Sequence, residues 1–343
     1  MKIGIHHVEG SFSNRWIEYC ELNNIAYKIV NAYESDIVNQ LSDCDAFMWN
    51  IVQSNFKDML YGKQLLFSIE KSGKAVFPDF NTCWHFDDKV AQKYLLESIE
   101  APFVTTDVFY SHKEAVNWIN KEVFPKVFKL SGGAGSYNVS LAQTKQKAIR
   151  FSKKAFGRGF QPISRVENLK EHIRKIKEGK ESFFLGMTKG ITRLFFQWEY
   201  LKMFSRVKGY VYFQEFLPDN NFDIRIIVTG NRAFALKRMT RENDFRASGS
   251  GNIIYNPLEI DIRCVEIAFS INNKLKTQSI AYDFIFDKNN NPLIVEISYN
   301  YGIQVYDNCP GYWDSDLKWN EGLFKPQYWQ IENLVRLLLN SKK

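Results

Sequence analysis

Three stretches in the second half of the chain decide its fold: YVYFQEFLP (residues 210–218), DIRIIVTGNRAFALKRM (223–239) and AYDFIFDKNNNPLIVEISYNYG (281–302). Each is rich in β-branched and aromatic residues, which is typical of β-strands. Gly230-Asn231 interrupts the second stretch, and the polar run 287–292 interrupts the third. Both interruptions are turn signals, so the sequence predicts two antiparallel hairpins in this region.

Charged and polar residues are placed within these apolar strands. Side chains alternate between the two faces of a strand, so residues two apart share a face. The residues in question are Asp223 with Arg225 on one strand, Asp283 on another, and Glu296 with Ser298 and Asn300 on the last. A buried carboxylate needs a cation, because burying it unpaired costs several kcal/mol. Oxygen ligands of these kinds suit Mg²⁺, which proteins usually share with nucleotide phosphates. A half-solvated sheet with ordinary surface charges is the alternative interpretation.

The order of these motifs resembles the second half of an ATP-grasp domain, the fold of glutathione synthetase, RimK and D-alanine–D-alanine ligase. The segment Gln214-Glu215-Phe216-Leu217 is similar to the hinge that binds adenine in that family. Asp223 and Arg225 match its D-x-R strand, and the resemblance implies nucleotide binding by Asp223 and a catalytic role for Arg225. Arg238 matches the arginine that meets the transferred phosphate.

The resemblance also implies a metal site. Asp283 and Glu296 match the D…E-x-N pattern that holds Mg²⁺ in the family, where Mn²⁺ is an alternative ion. Ser298 stands where the family usually has asparagine, and Asn300 follows two residues later. Both residues are therefore candidates for the third metal ligand.

Composition bounds the class of protein. The chain has 343 residues, which is enough for two or three packed lobes. Hydrophobic residues make up 45% and charged residues 24%, as in soluble globular proteins. The N-terminus lacks the apolar core of a signal peptide, and no C-x-x-C spacing occurs among the five cysteines. These features predict a cytoplasmic protein with reduced thiols. The net charge of +7 fits an anionic ligand.

Residues 1–85 alternate short strands with helices, which predicts a parallel sheet. The family has an N-terminal α/β domain in this place, and it often contributes to the acceptor site. Polar residues at or after the end of the first strand are His6, His7, Ser11, Ser13 and Arg15. Open α/β sheets place ligands at this end of their strands. For the two histidines, local hydrogen bonds are the simpler interpretation.

Two further motifs lie between this domain and the hinge. Asp87 or Asp88 can cap a predicted helix that runs to about Glu97, and Lys89 falls in its first turn, where a lysine is electrostatically unfavourable. A predicted strand, 125–130, then delivers the glycine-rich run SGGAGS, which lets backbone N–H groups approach phosphates. The resemblance implies that Lys89 and Lys129 bind the nucleotide phosphates and that the glycine loop covers them. The loop residues are Gly132, Gly133, Gly135 and Ser136.

Residues 145–208 are strongly basic, with 17 Lys or Arg and 5 Asp or Glu. Aromatic residues are interleaved with these charges. The simpler interpretation is an insertion that packs its aromatic residues inward. Peripheral contact with an anionic membrane, contact with nucleic acid and docking of an acidic acceptor are the alternatives. An anionic membrane is retained as a possible partner, whereas nucleic acid is disfavoured.

Beyond Arg238, the segment 240–252 contains Arg246, a Ser-Gly-Ser-Gly turn and Asn252. An arginine, backbone N–H groups and an amide can converge on an anion there. The family has a comparable segment near its carboxylate substrate and γ-phosphate. The resemblance therefore adds Arg246 to the catalytic candidates.

Taken together, the motifs predict an α/β ATP-grasp fold in four segments: an N-terminal domain (1–85), a small lobe with the glycine loop (86–160), the basic insertion (161–208) and a C-terminal lobe (209–343). The resemblance implies an ATP- and Mg²⁺-dependent ligase that joins a small-molecule carboxylate to an amine through an acyl phosphate. An ATP-grasp kinase is one alternative, and a nucleotide-responsive binding module is another. A homodimer is one possible oligomeric state.

Overall fold

The computed structural model of the protein describes residues 1–132, 138–161, 205–241, 244–247, 249 and 251–340. Gly133, Gly135 and Ser136 of the glycine loop lie outside these residues, as does most of the basic insertion. The chain forms two compact units. Unit 1 contains Met1–Phe86, Tyr94–Phe103 and Leu217–Lys343, and unit 2 contains Asp87–Lys93 and Val104–Phe216.

The N-terminal part of unit 1 is a four-stranded parallel sheet, as the alternating strands and helices predict. Its strands, in the spatial order β2-β1-β3-β4, are β1 (Lys2–His6), β2 (Ala26–Val30), β3 (Ala46–Trp49) and β4 (Ala75–Phe77). Its helices are α1 (Phe12–Leu22), α2 (Ile37–Gln40), α3 (Lys63–Lys71) and α4 (Phe80–Cys83). Ser11 begins α1 by accepting a hydrogen bond from the Ser13 N–H, which satisfies one of the unpaired donors of a helix start.

Unit 2 contains a four-stranded antiparallel sheet in the order β5-β8-β6-β7. Its strands are β5 (Thr106–Phe109), β6 (Lys126–Lys129), β7 (Val139–Ala142) and β8 (Val211–Glu215). The helices of this region are α5 (Lys89–Ser98), which starts in unit 2, α6 (His112–Lys121) and α7 (Lys145–Phe156). Because β8 pairs here with β5 and β6, the contacts divide the chain at different positions from the four predicted segments.

The rest of unit 1 is a seven-stranded antiparallel sheet in the order β13-β12-β9-β10-β14-β15, with β11 paired to β10. Its strands are β9 (Phe222–Thr229), β10 (Arg232–Met239), β11 (Ile253–Ile254), β12 (Ser279–Phe286), β13 (Pro292–Ser298), β14 (Gly311–Asp314) and β15 (Trp319–Glu321). Both predicted hairpins are confirmed. Gly230 adopts a φ of +61° in the first turn, a conformation that suits glycine.

Helices cover this sheet on both faces, which separates its residues into two sets. Helix α8 (Ile262–Leu275) packs against Ile224, Ile226 and other residues of the same face. The opposite face, which carries Ile227, Phe234 and Ala281, packs against α1 and α9 (Pro326–Asn340). By strand alternation, Asp223, Arg225, Arg238 and Asp283 belong to this second face. The fold therefore brings four charged residues from three neighbouring strands to one surface.

Candidate functional site

The four charged residues of this face form a cluster, which we call the arginine–carboxylate cluster (Asp223, Arg225, Arg238 and Asp283). Arg225 lies opposite Asp283 in the register of β9 and β12, and Arg238 lies opposite Asp223 in that of β9 and β10. Arg225 donates from Nε and Nη2 to the two Asp283 oxygens, at 2.6 and 2.7 Å. Arg238 donates to both Asp223 oxygens at 2.6 Å, and its Nη2 lies 3.0 Å from Asp283 Oδ2. Two bidentate pairs are thus joined into one network.

The cluster is buried and electrically balanced. Its two guanidinium and two carboxylate groups have side chains that are 9–19% exposed. Burial alone would raise the pKa of Asp283, but Arg225 and Arg238 hold it well below its ordinary value. Burial raises the pKa of Asp223, against the opposing effect of Arg238. Breaking one such pair leaves an uncompensated buried charge, so the network fixes both arginines in position.

The predicted metal ligands divide into two groups. Asp283 lies directly opposite Glu296 in the register of β12 and β13, so the two carboxylates share a face. The Ser298 hydroxyl donates to the Asn300 backbone oxygen at 2.9 Å. The Asn300 amide donates to the Ile51 backbone oxygen at 3.2 Å. Asp283 and Glu296 are therefore adjacent, whereas the side chains of Ser298 and Asn300 make other contacts.

A pair of adjacent carboxylates fits Mg²⁺, because this ion binds few protein ligands and completes its shell with water and phosphate oxygens. Within the described ranges, no group of three or more His, Cys, Asp or Glu residues has a metal-binding arrangement. Because both Asp283 oxygens already contact Arg225 or Arg238, an ion here would depend on Glu296 and on the phosphate oxygens of a shared ligand.

Arg246 has a local partner. Its Nε and Nη2 atoms donate to the carboxylate of Asp244, with the closest contact at 2.8 Å. Asn252 accepts a hydrogen bond from the Met239 N–H through its backbone oxygen, which places it beside the end of β10. Arg246 and the arginine–carboxylate cluster are thus distinct ion-pair groups of unit 1.

In unit 2, the first turn of α5 meets the start of the glycine loop. The Lys89 N–H donates to the Ser131 backbone oxygen at 2.9 Å, and the Ser131 N–H donates to the Tyr210 hydroxyl at 2.6 Å. Asp88, one of the two predicted cap residues, caps the helix by accepting from the Val90 and Ala91 N–H groups. A Cβ on Gly132 would lie 3.0 Å from Asp87 Oδ2, so the absence of a side chain permits this approach. The two predicted phosphate-binding motifs therefore lie together.

The sheet of unit 2 has two distinct faces. Phe128 and Phe213 lie opposite each other and pack against α6 and α7. Strand alternation puts Lys129 and Gln214 on the other face, and both side chains are buried. The Gln214 amide donates to the Thr106 hydroxyl at 3.2 Å. The predicted phosphate-binding lysine and the first residue of the predicted hinge thus share a face.

Glu215 belongs to the face that the helices cover. Its Oε2 lies 2.5 Å from Nζ of Lys126, which also contacts Glu122 at 3.0 Å. We call Lys126, Glu122 and Glu215 the lysine–glutamate cluster. Because its side chain is engaged there, Glu215 is available to a ligand on the opposite face only through its backbone. Phe216 and Leu217 follow at the boundary of the two units, where the Leu217 oxygen accepts from Asn220.

The polar residues after β1 make local contacts. His6 Nδ1 accepts from the Ala32 N–H at 3.0 Å, and His7 Nδ1 lies 2.9 Å from the Ser13 hydroxyl. These contacts agree with the simpler interpretation of the two histidines. Arg15 instead reaches the C-terminal region, where its Nη2 donates to Asp307 Oδ2 at 2.5 Å.

Sequence reasoning did not identify two groups that contact these sites. Tyr306 is buried, and burial raises its pKa against the opposing charges of Arg225 and Arg238 of the arginine–carboxylate cluster. Lys126 binds the predicted hinge residue Glu215. Neither belongs to a recognisable motif, because each contact depends on residues more than 80 positions away in the sequence.

The RimK-like ATP-grasp domain model matches residues 199–312. No curated protein matches the sequence significantly. Among solved structures, D-alanine–D-alanine ligase from Bacillus anthracis shares 13% identity over 99% of both chains, with a TM-score of 0.59. The same ligase has been solved with ATP.

Two other solved structures have a similar fold. N5-carboxyaminoimidazole ribonucleotide synthetase from Thermotoga maritima shares 13% identity over 97% of this chain and 75% of its own, with a TM-score of 0.61. The ATP-grasp ligase PsnB, in complex with its precursor peptide PsnA2 and AMPPNP, shares 12% identity over 98% of both chains, with a TM-score of 0.55. Residues 199–312 therefore resemble a RimK-like ATP-grasp domain, and the chain shares its fold with these solved structures.

Proposed function

We propose that the protein is an ATP- and Mg²⁺-dependent ligase that activates a carboxylate as an acyl phosphate and joins it to an amine. The observation that carries this proposal is the arginine–carboxylate cluster beside Glu296 on one face of the large sheet. Phosphoryl transfer requires fixed positive charge more than covalent catalysis, and this cluster holds two arginines in fixed positions.

Residues of unit 2 are also assigned to nucleotide binding. Lys129 lies on the sheet face that carries Gln214, and the Lys89 N–H donates to Ser131, two residues after Lys129. Both lysines are buried, and both are assigned to the phosphates. The segment 214–217 is assigned to adenine, with Glu215 acting through its backbone. Gly132 and the loop residues Gly133, Gly135 and Ser136, which lie outside the described residues, are assigned to covering the phosphates.

Asp283 and Glu296 would hold Mg²⁺, with Ser298 or Asn300 as a further candidate, and the bound ion would neutralise phosphate charge. Asp223 would orient Arg238, to which it is paired. Arg225 and Arg238 would stabilise the charge on the transferred phosphoryl group. Arg246, whose charge is balanced by Asp244, is assigned to the carboxylate substrate.

The proposed reaction balances in two steps. A carboxylate oxygen attacks the γ-phosphorus of ATP, the bond to the β-phosphate oxygen breaks, and ADP leaves. The amine nitrogen then attacks the acyl carbon, phosphate leaves and the nitrogen loses a proton. Water must be excluded, since an acyl phosphate hydrolyses readily. An amino acid or peptide joined to another amino acid or to a sugar acid is the substrate class that we propose. The names of the D-alanine–D-alanine ligase and PsnB structures support this class.

Product analysis tests this proposal. Purified protein is incubated with Mg²⁺, ATP and pools of amino acids and carboxylic acids, and nucleotides and free phosphate are quantified. Arg238→Ala is compared with Arg232→Ala, a matched control on the same strand whose arginine pairs with Glu332 instead. We expect acceptor-dependent ADP and phosphate that are lost in Arg238→Ala and retained in Arg232→Ala. AMP would contradict acyl phosphate chemistry, and ADP without free phosphate would indicate a kinase.

Localisation and membrane contact remain predictions. Across the described ranges, no helix combines the length and apolar character needed to cross a membrane. The proposed peripheral membrane contact involves residues 145–208, of which 162–204 lie outside the described residues. The cytoplasmic location, the homodimer and the use of Mn²⁺ stay predictions from the sequence.

A further inference from the structure

Glu296 belongs to a weakly restrained part of the large sheet. Its strand, β13, lies at one edge of that sheet and pairs with β12. Asp283 pairs with Glu296 in this ladder. Phe284, the next residue of β12, pairs with Ile294, which leaves Val295 as the extra residue of a β-bulge. A bulge interrupts the ladder and redirects the neighbouring side chains. The position of Glu296 therefore depends on what holds β13 beyond the bulge.

Two residues that directly follow β13 bind the loop after β3. The Tyr299 hydroxyl donates to the Ile51 backbone oxygen, and the Asn300 amide donates to the same oxygen at 3.2 Å. The Asn300 amide nitrogen also lies 3.4 Å from Gln53 Oε1. Tyr299 is fully buried, and its ring packs edge-on against Phe86 with centroids 4.6 Å apart. The end of β13 is thus attached to the N-terminal parallel sheet.

Asn50 extends this attachment to α1. Its Nδ2 lies 3.5 Å from Asn300 Oδ1, and its Oδ1 accepts from the Phe12 N–H, at the start of α1, at 3.2 Å. We call Asn50, Gln53, Asn300 and the Ile51 backbone oxygen the carboxamide link. Asn50 is buried, and leaving a buried amide without its partner costs about 1–3 kcal/mol. The contacts of the link therefore restrain one another.

The orientation of the Asn300 amide is decided by its partners. Mg²⁺ binds oxygen ligands, so a carboxamide can coordinate it only through its oxygen. The Asn300 nitrogen faces the oxygens of Ile51 and Gln53, whereas its own oxygen faces the amide nitrogen of Asn50. Turning the amide over would set oxygen against oxygen. Strand β13 also ends at Ser298, so the alternation that puts residues two apart on one face does not extend to Asn300.

We propose that Asn300 is a positioning residue for Glu296, which acts through the carboxamide link, and that it is not a ligand of Mg²⁺. The proposal rests on the proposed function, because it assigns Glu296 to an Mg²⁺ ion shared with ATP. The link fixes the end of β13 on the far side of the bulge and so fixes the Glu296 carboxylate. Residues that orient a metal ligand govern metal affinity, which typically falls about 10–100-fold when they are replaced. Asn50, a residue of another sheet, thereby contributes to the metal site.

The contribution of Mg²⁺ to nucleotide binding tests the positioning role. The dissociation constant of AMPPNP is measured without metal and with saturating Mg²⁺, and the ratio of the two constants reports the contact between the ion and the protein. We expect this ratio to fall about tenfold in Asn300→Ala. We expect a fall of about threefold in Asn50→Ala, which removes one contact of the link. An unchanged ratio in Asn300→Ala would overturn the proposal.

Gln278→Ala is the matched control. Gln278 stands directly before β12, and its amide donates to the Val76 backbone oxygen of β4 at 2.8 Å. It therefore also joins the large sheet to the N-terminal sheet through a carboxamide. Asp283 of β12 is held by Arg225 and Arg238, so its position does not depend on this contact. We expect Gln278→Ala to keep the wild-type ratio. A loss equal to that of Asn300→Ala would show that both amides act only through general stability, which would refute the positioning role.

Water counting tests whether Asn300 is a ligand. Mn²⁺ is used as a paramagnetic probe of the site in the complex with AMPPNP, and broadening of its EPR signal by oxygen-17 water gives the number of water ligands. A water molecule replaces a protein ligand that is truncated. We expect the wild-type number in Asn300→Ala and one additional water in Glu296→Ala. An additional water in Asn300→Ala would overturn the proposal.

Hydrogen exchange of the free protein provides a readout that does not depend on nucleotide or metal. We expect faster amide exchange in residues 293–301 of Asn300→Ala and Asn50→Ala, and wild-type exchange there in Gln278→Ala. Wild-type protein whose affinity for AMPPNP is the same with and without Mg²⁺ would contradict the proposed function. In that case the exchange comparison alone decides whether the link fixes β13, and unaltered exchange in Asn300→Ala would refute it.

Discussion

The two units each contain a charged cluster, and the clusters differ in burial and in composition. The arginine–carboxylate cluster of unit 1 joins two arginines to two aspartates, and no side chain in it is more than 19% exposed. The lysine–glutamate cluster of unit 2 joins one lysine to two glutamates, whose side chains are 31% and 40% exposed. The first consists of bidentate pairs, whereas the second has single contacts from a flexible ammonium group.

This difference separates two tasks. A buried, balanced network fixes the direction of each guanidinium group, which is what a reacting phosphate requires. An ion pair whose carboxylates reach water contributes little to stability, but it can hold the side chain of Glu215 against the helices. Gln214 and the backbone of the predicted hinge then face the other side of the sheet. We therefore propose that the first cluster serves phosphoryl transfer and that the second shapes the strand predicted to bind adenine.

Among these substitutions, Asp283→Asn should have the largest effect on stability. It leaves Arg225 and Arg238 buried with one carboxylate fewer, so the free energy of unfolding should fall by about 3–5 kcal/mol. ATP turnover should be lost in parallel. Urea unfolding of wild type and of Asp283→Asn measures the change in the free energy of unfolding. A loss below about 1 kcal/mol would show that this cluster resembles an exposed ion pair, which would remove the distinction between the two clusters.

The contribution of each cluster to stability should depend on pH with opposite sign. The pKa of Asp283 is lowered in the folded protein because Arg225 and Arg238 outweigh burial. Its contribution to stability should be constant above about pH 5 and decrease below about pH 4, by at most about 1.4 kcal/mol for each pH unit. Burial alone would lower the pKa of Lys126, but Glu215 and Glu122 raise it. Its contribution should persist to about pH 10 and be lost only above that.

The two contributions to stability are measured at each pH as differences in unfolding free energy. One difference is between wild type and Asp283→Asn, and the other is between wild type and Lys126→Met. Both differences should be constant from about pH 5 to pH 9. A change in either difference near pH 7 would mean that another titrating group controls that cluster.

Lys126→Met should have the smallest effect on stability, below about 1 kcal/mol, because Glu122 and Glu215 can turn to water when the lysine is removed. The methionine retains packing against Trp118, over whose ring the lysine lies at 5.6 Å. Thermal unfolding provides the measurement, and Lys145→Met, a substitution of an exposed lysine in the same unit, is the control. A loss as large as that of Asp283→Asn would contradict the contrast between the clusters.

Much of the fold could be predicted from local patterns. Alternation identified the strands of both hairpins, and the two cap candidates, Asp87 and Asp88, indicated the start of α5, where Asp88 is the cap. The same alternation put Asp223 and Arg225 on one face, which the register confirms by the pairs that they form with Arg238 and Asp283. These features depend on residues that are close in the sequence or in repeating positions.

The remainder depends on contacts that no local pattern contains. The side chains of β8 alternate between two faces like those of the strands after it. This alternation does not indicate which sheet a strand joins. Arg15 meets Asp307 across 292 positions of the sequence. The partners of the charged residues, rather than the residues themselves, were therefore hidden from sequence reasoning.

The most direct test of the division of tasks is the affinity for AMPPNP and for ADP, measured with Mg²⁺ for wild type, Arg225→Met and Lys126→Met. Folding of each variant is verified by its unfolding curve. The account predicts that Arg225→Met loses most of the preference for AMPPNP while its affinity for ADP changes little. It predicts that Lys126→Met weakens both nucleotides by the same factor. Equal weakening of both nucleotides by Arg225→Met would contradict the assignment of the arginine–carboxylate cluster to the γ-phosphate.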